Sequence, residues 1–372
     1  MVRDVFWSAL EAALGVGVLL SVLLDVFQFV VTPRPVAGRF RLSRYLIRSL
    51  WWVVRRLSYE IHNVRRRESL LGSFGPFAVV ALLVMWVVGL VVGYGLLLDA
   101  LRDELRPHPT NLLGSLYFAA TSLLTIGFGD FVATQPLARF ISLAAGASGL
   151  ALFALVITFL FSLFAAFQRR EVAVVTLESG AGAPPSGVTL LETYALAGIR
   201  DDLTLVFQRW QAWAAEVLDS HLAYPLLAYF RSSHDNDSWI GSLGAVMDAA
   251  TLVLTTVEDG PKGWAKLARS VGGHCIEDMV LYFRLPDERQ VGVELDEFRQ
   301  ARARLAKAGY RLRPETESWE AFQRYRSEYA GRINSLALYW ACPPAQWIGD
   351  RSPLKQRAQH DGHPTPVPVR QK

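Results

Sequence analysis

The sequence predicts an all-α membrane protein with a mainly helical soluble region after its last span. Hydrophobic residues make up 52% of the 372 residues, yet 19% are charged, a combination that is rare in soluble proteins. Three segments stay apolar over the roughly 20 residues that a helix needs to cross a bilayer. The second half of the chain shows helical rather than strand periodicity.

The three predicted spans run from about Val5 to Val31, Phe77 to Leu98 and Phe140 to Phe167. Ten arginines lie between Arg34 and Arg67, in the connection between the first two spans. Beside membrane spans, such a run marks a cytoplasmic loop rather than a nucleic-acid surface. We therefore expect a multi-pass protein of the cell (inner) membrane, with its N-terminus outside and its C-terminal domain in the cytoplasm.

The cytoplasmic loop contains an amphipathic stretch from Arg44 to Ile61, which with the first span forms a predicted region of residues 1–73. At 100° per residue its arginines gather on one side and its aliphatic residues on the other. This pattern favours a helix on the membrane surface, with its arginines toward lipid phosphates. A voltage sensor also strings arginines along a helix, and this alternative stays open.

A short apolar segment, Leu112 to Leu124, lies between the second and third spans, after a helix start at Pro109, Thr110 and Asn111. It is too short to cross a bilayer, and Thr-Ile-Gly-Phe-Gly-Asp follows it. A short helix followed by a glycine-patterned strand is what a re-entrant pore loop requires.

The glycine pattern predicts an ion-coordinating backbone. A dehydrated potassium ion needs a shell of oxygens, which stacked rings of backbone carbonyls supply if successive carbonyls point the same way. This requires conformations at alternate residues that favour glycine, and Gly127 and Gly129 meet the requirement. The helix before the strand also directs its negative end toward a cation. The predicted K⁺ ligands are backbone carbonyls of Thr125, Ile126, Gly127 and Phe128, and Asp130 marks the outer mouth.

This string resembles the filter of the potassium-channel pore family, Thr-x-Gly-x-Gly, often followed by Asp. The resemblance covers a span–pore helix–filter–span module within residues 74–170 and implies passive, potassium-selective conduction without a cofactor. One filter per chain implies a homotetramer, because four strands must surround the ion. Phe128 replaces the commoner tyrosine, and Leu124 stands where relatives often have threonine. A weakly selective cation channel is therefore the first alternative.

Three further features of the spans have two interpretations each. Gly146 and Gly149 lie where inner helices of relatives bend, so they are a possible gating hinge or a site of close packing. The string Gly93-Tyr94-Gly95 looks like a filter, but it lies within a continuous apolar span and favours helix packing. Asp25, a charge within a span, has either a functional role or, as we expect, a pairing with an arginine of the following loop.

Residues 171–352 form the predicted helical cytoplasmic domain, and residues 353–372 a disordered tail. An extended piece at Val172–Leu177 and a linker at Ser179–Gly187 are expected first. The predicted helices follow: Leu190–Leu218, Trp239–Val257, Lys262–Phe283, Leu295–Ala308 and Trp319–Trp340.

The polar stretch Ser232–Trp239 permits another alternative, a membrane-anchored metal-dependent hydrolase that uses His234 and Asp235. The simpler interpretation is that Asp237 or Ser238 caps the helix beginning at Trp239. A non-conducting scaffold or sensor is a third possibility.

Overall fold

The computed structural model describes residues 5–32, 41–232, 236–286 and 292–349. The predicted tail therefore lies outside the described residues. The chain divides into two compact units, the first made of residues 1–52 and 76–165, and the second of residues 53–75 and 166–372. Within the described ranges the structure is almost entirely helical, which confirms the predicted fold class.

The first unit contains one whole long helix and parts of three others that extend into the second unit. Helix α1 (Val5–Val26) continues into a π-helical turn, Phe27–Val31, and is followed by α2 (Leu42–Glu60) and α3 (Val64–Ala100). A short helix α4 (Leu112–Leu123) and the long helix α5 (Pro136–Ala181) complete the set, with two-residue strands β1 (Leu105–Arg106) and β2 (Val132–Ala133) between them. The helices α1, α3 and α5 are long and apolar enough to cross a membrane.

Glycines allow α1 and α3 to approach closely. A Cβ atom on Gly93 would lie 2.6 Å from Leu19, and one on Gly89 would lie 2.6 Å from Val22. These distances are too short for a real side chain, so the two backbones can pack this way only without one. The hydroxyl of Tyr94 lies 2.6 Å from that of Ser148 on α5. The string Gly93-Tyr94-Gly95 is therefore a packing surface within helix α3, as the sequence favoured.

Asp25 differs from its prediction. Its buried carboxylate accepts hydrogen bonds from the Trp86 indole at 2.8 Å and from the Ser43 backbone and hydroxyl. Among the described residues its partners are these neutral groups rather than an arginine, while Arg34 and Arg39 lie outside the described ranges. An indole N–H and a hydroxyl can hold a carboxylate by hydrogen bonding without a countercharge.

Helix α5 is longer than predicted. It runs without interruption to Ala181, so the expected extended piece at Val172–Leu177 and the start of the linker at Ser179 are wrong. The β-branched residues in this stretch suggested a strand. Their burial instead follows helical spacing, with Ala173, Val174, Leu177 and Ala181 buried.

The second unit contains seven further helices among its described residues. They are α6 (Gly187–Leu196), α7 (Leu203–Ala223), α8 (Trp239–Thr255), α9 (Lys262–Phe283), α10 (Leu295–Lys307), α11 (Glu315–Ser327) and α12 (Ala330–Tyr339). The helix predicted over Leu190–Leu218 is two helices, because the chain turns at Gly198 with a φ of 73°. The one predicted over Trp319–Trp340 is also interrupted, at residues 328–329.

Helix α8 forms the centre of the second unit, with nearly all of its residues buried. Ser238 caps it by accepting a hydrogen bond from the Gly241 amide at 2.9 Å, which confirms the predicted capping role of this stretch. Its one acidic residue, Asp248, is bound by Arg326 at 3.0 Å and by the Tyr329 hydroxyl at 2.5 Å. A fully buried carboxylate is thus paired with a cation and a hydroxyl, as burial requires.

Candidate functional site

Helix α4 and the segment that follows it, residues 125–130, form the candidate site. We call this segment the ribbon. Asn111 caps the helix by accepting a hydrogen bond from the Gly114 amide at 3.2 Å, so of the two predicted capping residues it is Asn111 that acts. At the same end, the Ser115 hydroxyl donates to the buried Asp99 carboxylate at 2.9 Å. Arg102 binds the other Asp99 oxygen at 2.7 Å. The start of α4 is therefore fixed to the end of α3.

The backbone of the ribbon alternates in handedness. Thr125, Gly127 and Gly129 have φ values of 56°, 60° and 79°, whereas φ is not positive at Ile126 and Phe128 between them. Glycine adopts this left-handed conformation without a steric penalty, but threonine does not. Such alternation turns successive peptide carbonyls toward a common side, in contrast to a strand, where they alternate. Thr125 is thus held in a strained conformation that sequence reasoning assigned only to the glycines.

Hydrogen bonds to α4 hold the inner end of the ribbon. The Ile126 amide donates to the Thr121 carbonyl at 2.8 Å, and the Thr125 amide donates to the Ser122 carbonyl at 3.1 Å. Within the described part of the chain, no backbone amide donates to the carbonyls of residues 125–128. The four residues are exposed, and their carbonyls are left available as ligands for a cation.

Aromatic residues of α4 support the outer end. Tyr117 stacks on Phe128 with parallel rings 6.5 Å apart, and its hydroxyl lies beside the Asp130 carboxylate. The next residue of α4, Phe118, has its ring 6.4 Å from that of Phe131. Tyr117 thereby brings a hydroxyl to the ribbon, where Phe128 itself has none.

The ribbon side chains are nevertheless poorly covered by their own chain. Phe128 is 69% exposed and Ile126 is 50% exposed. Within a single chain, neither side chain is therefore packed behind the ribbon. Two large exposed apolar side chains so close together need a covering surface, which a single chain does not supply.

Glu104 fixes the exit of the ribbon, a role that sequence reasoning missed. Its backbone carbonyl accepts hydrogen bonds from the amide and hydroxyl of Thr134 at 2.8 and 2.7 Å. Its carboxylate accepts the Ala138 amide at 3.0 Å, in the first turn of α5. An acidic residue at a helix start is stabilising, but only the fold brings this one there. Local sequence reasoning gave no sign of this role, because the partners of Glu104 lie about 30 residues away along the chain.

Gly146 and Gly149 both face the C-terminal end of α4. A Cβ atom on Gly149 would lie 1.8 Å from the Leu123 carbonyl oxygen, whereas one on Gly146 would lie 3.4 Å from that of Ser122. Helix α5 is continuous through both positions. Close packing therefore explains Gly149, and a hinge remains a prediction.

In the second unit, the segment from Pro225 to Arg231 contacts the ends of two long helices. Phe230 lies against Gly75 of α3, where a Cβ atom would be 2.8 Å from the ring, and 5.6 Å from the Phe167 ring of α5. Arg231 forms a salt bridge with Glu68 of α3 at 2.9 Å. We call Pro225–Arg231 the clamp segment.

Arg170 of α5 is buried against the clamp segment. Its guanidinium donates to the Leu227 carbonyl at 2.9 Å and to the Phe230 carbonyl at 2.7 Å, and pairs with Glu171. Burial and this guanidinium hold the pKa of the adjacent His221 well below its ordinary range. Sequence reasoning gave Arg170 no such role, because its partners lie about 60 residues away along the chain.

The alternative metal site has no structural counterpart in the described ranges. His234 and Asp235 lie outside them, and no group of three metal-binding side chains occurs among the residues that are described. Cys275 is buried, which raises the pKa of its thiol to about 12 and makes it a poor nucleophile.

Comparison with protein families agrees with the geometry of the candidate site. Residues 81–166 match the family model described as "Ion channel", which represents a potassium-channel type of pore with two spans. The resemblance drawn from the filter string is thereby confirmed for this segment, and the match together with the three long apolar helices supports an ion channel in a membrane. The match covers under a quarter of the chain and leaves the second unit unassigned. No curated protein and no solved structure gives a significant match.

Proposed function

We propose that four copies of this chain form a passive, potassium-selective channel in the cell (inner) membrane. The observation that carries this proposal is the alternating handedness of Thr125, Gly127 and Gly129 in an exposed ribbon at the end of α4. Four such ribbons around an axis would supply the rings of carbonyl oxygens that replace the hydration shell of a permeant K⁺ ion. No further cofactor is needed, since the electrochemical gradient drives the flow.

The exposure of the ribbon side chains supports the tetramer. One ribbon can supply only one side of an ion's coordination shell, and its Ile126 and Phe128 side chains lack cover in one chain. Neighbouring copies in a closed fourfold arrangement meet both needs at once. The Asp130 carboxylates would then gather at the outer mouth and raise the local concentration of cations.

Rubidium uptake into proteoliposomes tests the proposal. A side chain on Gly127 or Gly129 would meet no steric clash, but it would have to adopt a left-handed φ, at a cost of about 1–2 kcal/mol in each of four copies. Gly127→Ala and Gly129→Ala are therefore expected to lose uptake. Gly263→Ala, at a helical position with open space, serves as the matched control and should conduct as the native chain does. Native uptake in both filter variants would refute the proposal.

A weakly selective cation channel is the second candidate, because Phe128 has no hydroxyl with which to anchor the ribbon. Reversal potentials in mixed potassium and sodium solutions distinguish the two. A reversal potential near the potassium equilibrium potential supports potassium selectivity. A reversal potential near zero, under opposing potassium and sodium gradients, supports the weakly selective channel. Phe128→Tyr should sharpen selectivity only if the missing hydroxyl limits it.

We further infer that residues 171–352 assemble or gate the pore rather than catalyse a reaction. The clamp segment holds residues of both α3 and α5 within the second unit, which suits the transmission of movement. Orientation can be tested by protease accessibility in sealed vesicles. Cleavage of the C-terminal half only from the side that corresponds to the cytoplasm is expected, in line with the arginine-rich loop.

A further inference from the structure

The second unit contains an open cavity of about 450 Å³, which the proposed pore does not use. This volume lies within the range of about 300–1,000 Å³ that is typical of ligand pockets. One wall is a face of α10 that runs from Glu297 to Arg304, and another consists of residues 344–347. We call it the α10 cavity. It lies close to the end of the described chain, because Gly349 is the last residue that the structure describes.

The polar groups that remain available in the α10 cavity are mainly hydrogen-bond donors. The side-chain oxygen of Gln346 accepts a hydrogen bond from the Ser186 hydroxyl, so the donors of its amide remain. Arg304 binds Glu192 through Nε and Nη2, and its Nη1 has no partner among the described residues. Gln300 is exposed and adds a further amide. An occupant that brings several acceptors and few donors therefore suits this cavity.

The two ends of the α10 cavity differ in charge. At one end, the carboxylate of Glu297 lines the cavity and Asp296 precedes it in the first turn of α10. At the other end, the positive charge of Arg304 is balanced by its ion pair with Glu192. Glu297 and Arg304 are seven residues apart, so the ends are separated by about 10 Å along the helix. The cavity therefore favours an uncharged, acceptor-rich body with a cation at the Glu297 end.

We propose that the α10 cavity binds a segment of the same chain, residues 364–370, with the sequence Pro-Thr-Pro-Val-Pro-Val-Arg. Its three prolines lack backbone donors but keep their carbonyl acceptors, which matches the donors of the cavity. Such a sequence favours the polyproline II conformation, and segments of this kind bind grooves lined by aromatic side chains, here Trp347. Arg370 supplies the cation, and the segment contains no acidic residue.

The length of chain outside the described residues permits this contact. Fourteen residues, 350–363, connect Gly349 to the segment. A flexible linker of this length has a root-mean-square end-to-end distance of about 20 Å. The linker starts beside the cavity, because Trp347 lines it only two residues before Gly349. A short tether keeps the local concentration of the segment in roughly the millimolar range, which favours it over a ligand in free solution.

Disulfide trapping in the full-length protein tests the contact. Gln300→Cys places a thiol in the α10 cavity, and Val367→Cys places one in the middle of the segment. With copper phenanthroline this pair should form an intramolecular disulfide, which mass spectrometry identifies as two linked peptides. The native Cys275 and Cys342 are buried, and burial raises the pKa of both thiols, so neither should react under mild conditions.

The matched control combines Val367→Cys with Leu281→Cys. Leu281 is 67% exposed but lies on α9, away from the residues that line the cavity. Its thiol is therefore as accessible as that of Gln300→Cys but has no docked segment beside it. This pair should form its disulfide at least about tenfold more slowly.

Charge variants test the direction in which the segment lies. Glu297→Gln removes the charge but keeps the capping box of α10, because glutamine can make the same hydrogen bond. It should slow trapping of the cavity pair by about two- to fivefold, the effect of one exposed ion pair. Arg370→Gln should slow trapping equally, and the two changes together should slow it no more than either one alone.

Three results would overturn the inference. Equal trapping rates for the cavity pair and the control pair would show that the segment meets the surface at random. Disulfide-linked dimers in place of the intramolecular product would show that the segment of another copy occupies the cavity. Trapping that neither charge variant slows would show that Glu297 and Arg370 do not meet. None of these results depends on ion conduction, so the proposed channel is tested separately.

Discussion

Alanine at Gly149 tests how the pore helix is seated on α5. The substituted Cβ atom would lie 1.8 Å from the Leu123 carbonyl oxygen, whereas carbon atoms of real side chains almost never come within 3.0 Å of such an atom. Helices α4 and α5 must therefore separate by about 1.2 Å or more, and overpacking of this kind costs roughly 1–3 kcal/mol per copy. Because Leu123 lies two residues before Thr125, the displacement reaches the ribbon directly.

Gly146→Ala is a matched control three residues away on the same helix. Its Cβ atom would lie 3.4 Å from the nearest oxygen, an ordinary contact. In a helix interior, alanine is also intrinsically favoured over glycine by about 1 kcal/mol. This variant should therefore keep, or slightly raise, the thermal stability of the native protein.

Two assays follow both variants: thermal unfolding of the purified oligomer in detergent, and rubidium uptake per reconstituted protein. Close packing predicts that Gly149→Ala loses both stability and uptake while Gly146→Ala loses neither. A hinge predicts instead that both variants alter opening at unchanged stability. Native stability and native uptake in Gly149→Ala would refute the packing argument altogether.

Other substitutions probe the supports of the ribbon and the second unit. Tyr117→Phe removes a hydroxyl beside Asp130 but keeps the ring stack, so the permeability ratio of potassium to sodium should fall modestly, by the equivalent of about 1 kcal/mol. Asp99→Asn weakens a buried tether of the pore helix and should lower the thermal stability of the oligomer by about 2 kcal/mol. The pKa of His221 is lowered by burial and by Arg170, so unfolding favours its protonation. The free energy of unfolding should therefore decline as the pH falls below about 6.5, by up to about 1.4 kcal/mol per pH unit. Thermal unfolding between pH 5 and 8 should show a weaker dependence on pH in His221→Gln.

The filter could be predicted from the sequence because its requirement is local. A left-handed φ at alternate residues favours glycine, so Gly127 and Gly129 make the conformation visible in a string of six residues. The capping residues Asn111 and Ser238 were predictable for the same reason, since a cap acts on amides three residues away. Helix α9, with a clear helical period, was predicted with the bounds that it has in the structure.

Features that depend on distant partners could not be predicted in this way. Glu104 reaches the first turn of α5 only because the chain returns there through the pore loop. The partners of Arg170, Leu227 and Phe230, depend on the fold of the second unit. The length of α5 was underestimated since a local β-branched run competed with helical burial, and burial prevailed.

The clamp segment ties the ends of α3 and α5 together within the second unit. Helices α3 and α5 each run without interruption from one unit into the other. Phe230 packs on Gly75 of α3, and its carbonyl oxygen accepts a hydrogen bond from Arg170 of α5, so displacement of this one residue disturbs both helices. A buried Arg170 guanidinium that lost its hydrogen bonds to the Leu227 and Phe230 carbonyls would be costly in free energy. We therefore expect Arg170 and the clamp segment to move together rather than to separate. This coupling supports the proposal that residues 171–352 assemble or gate the pore, because a helix transmits displacement along its length where a flexible linker would absorb it.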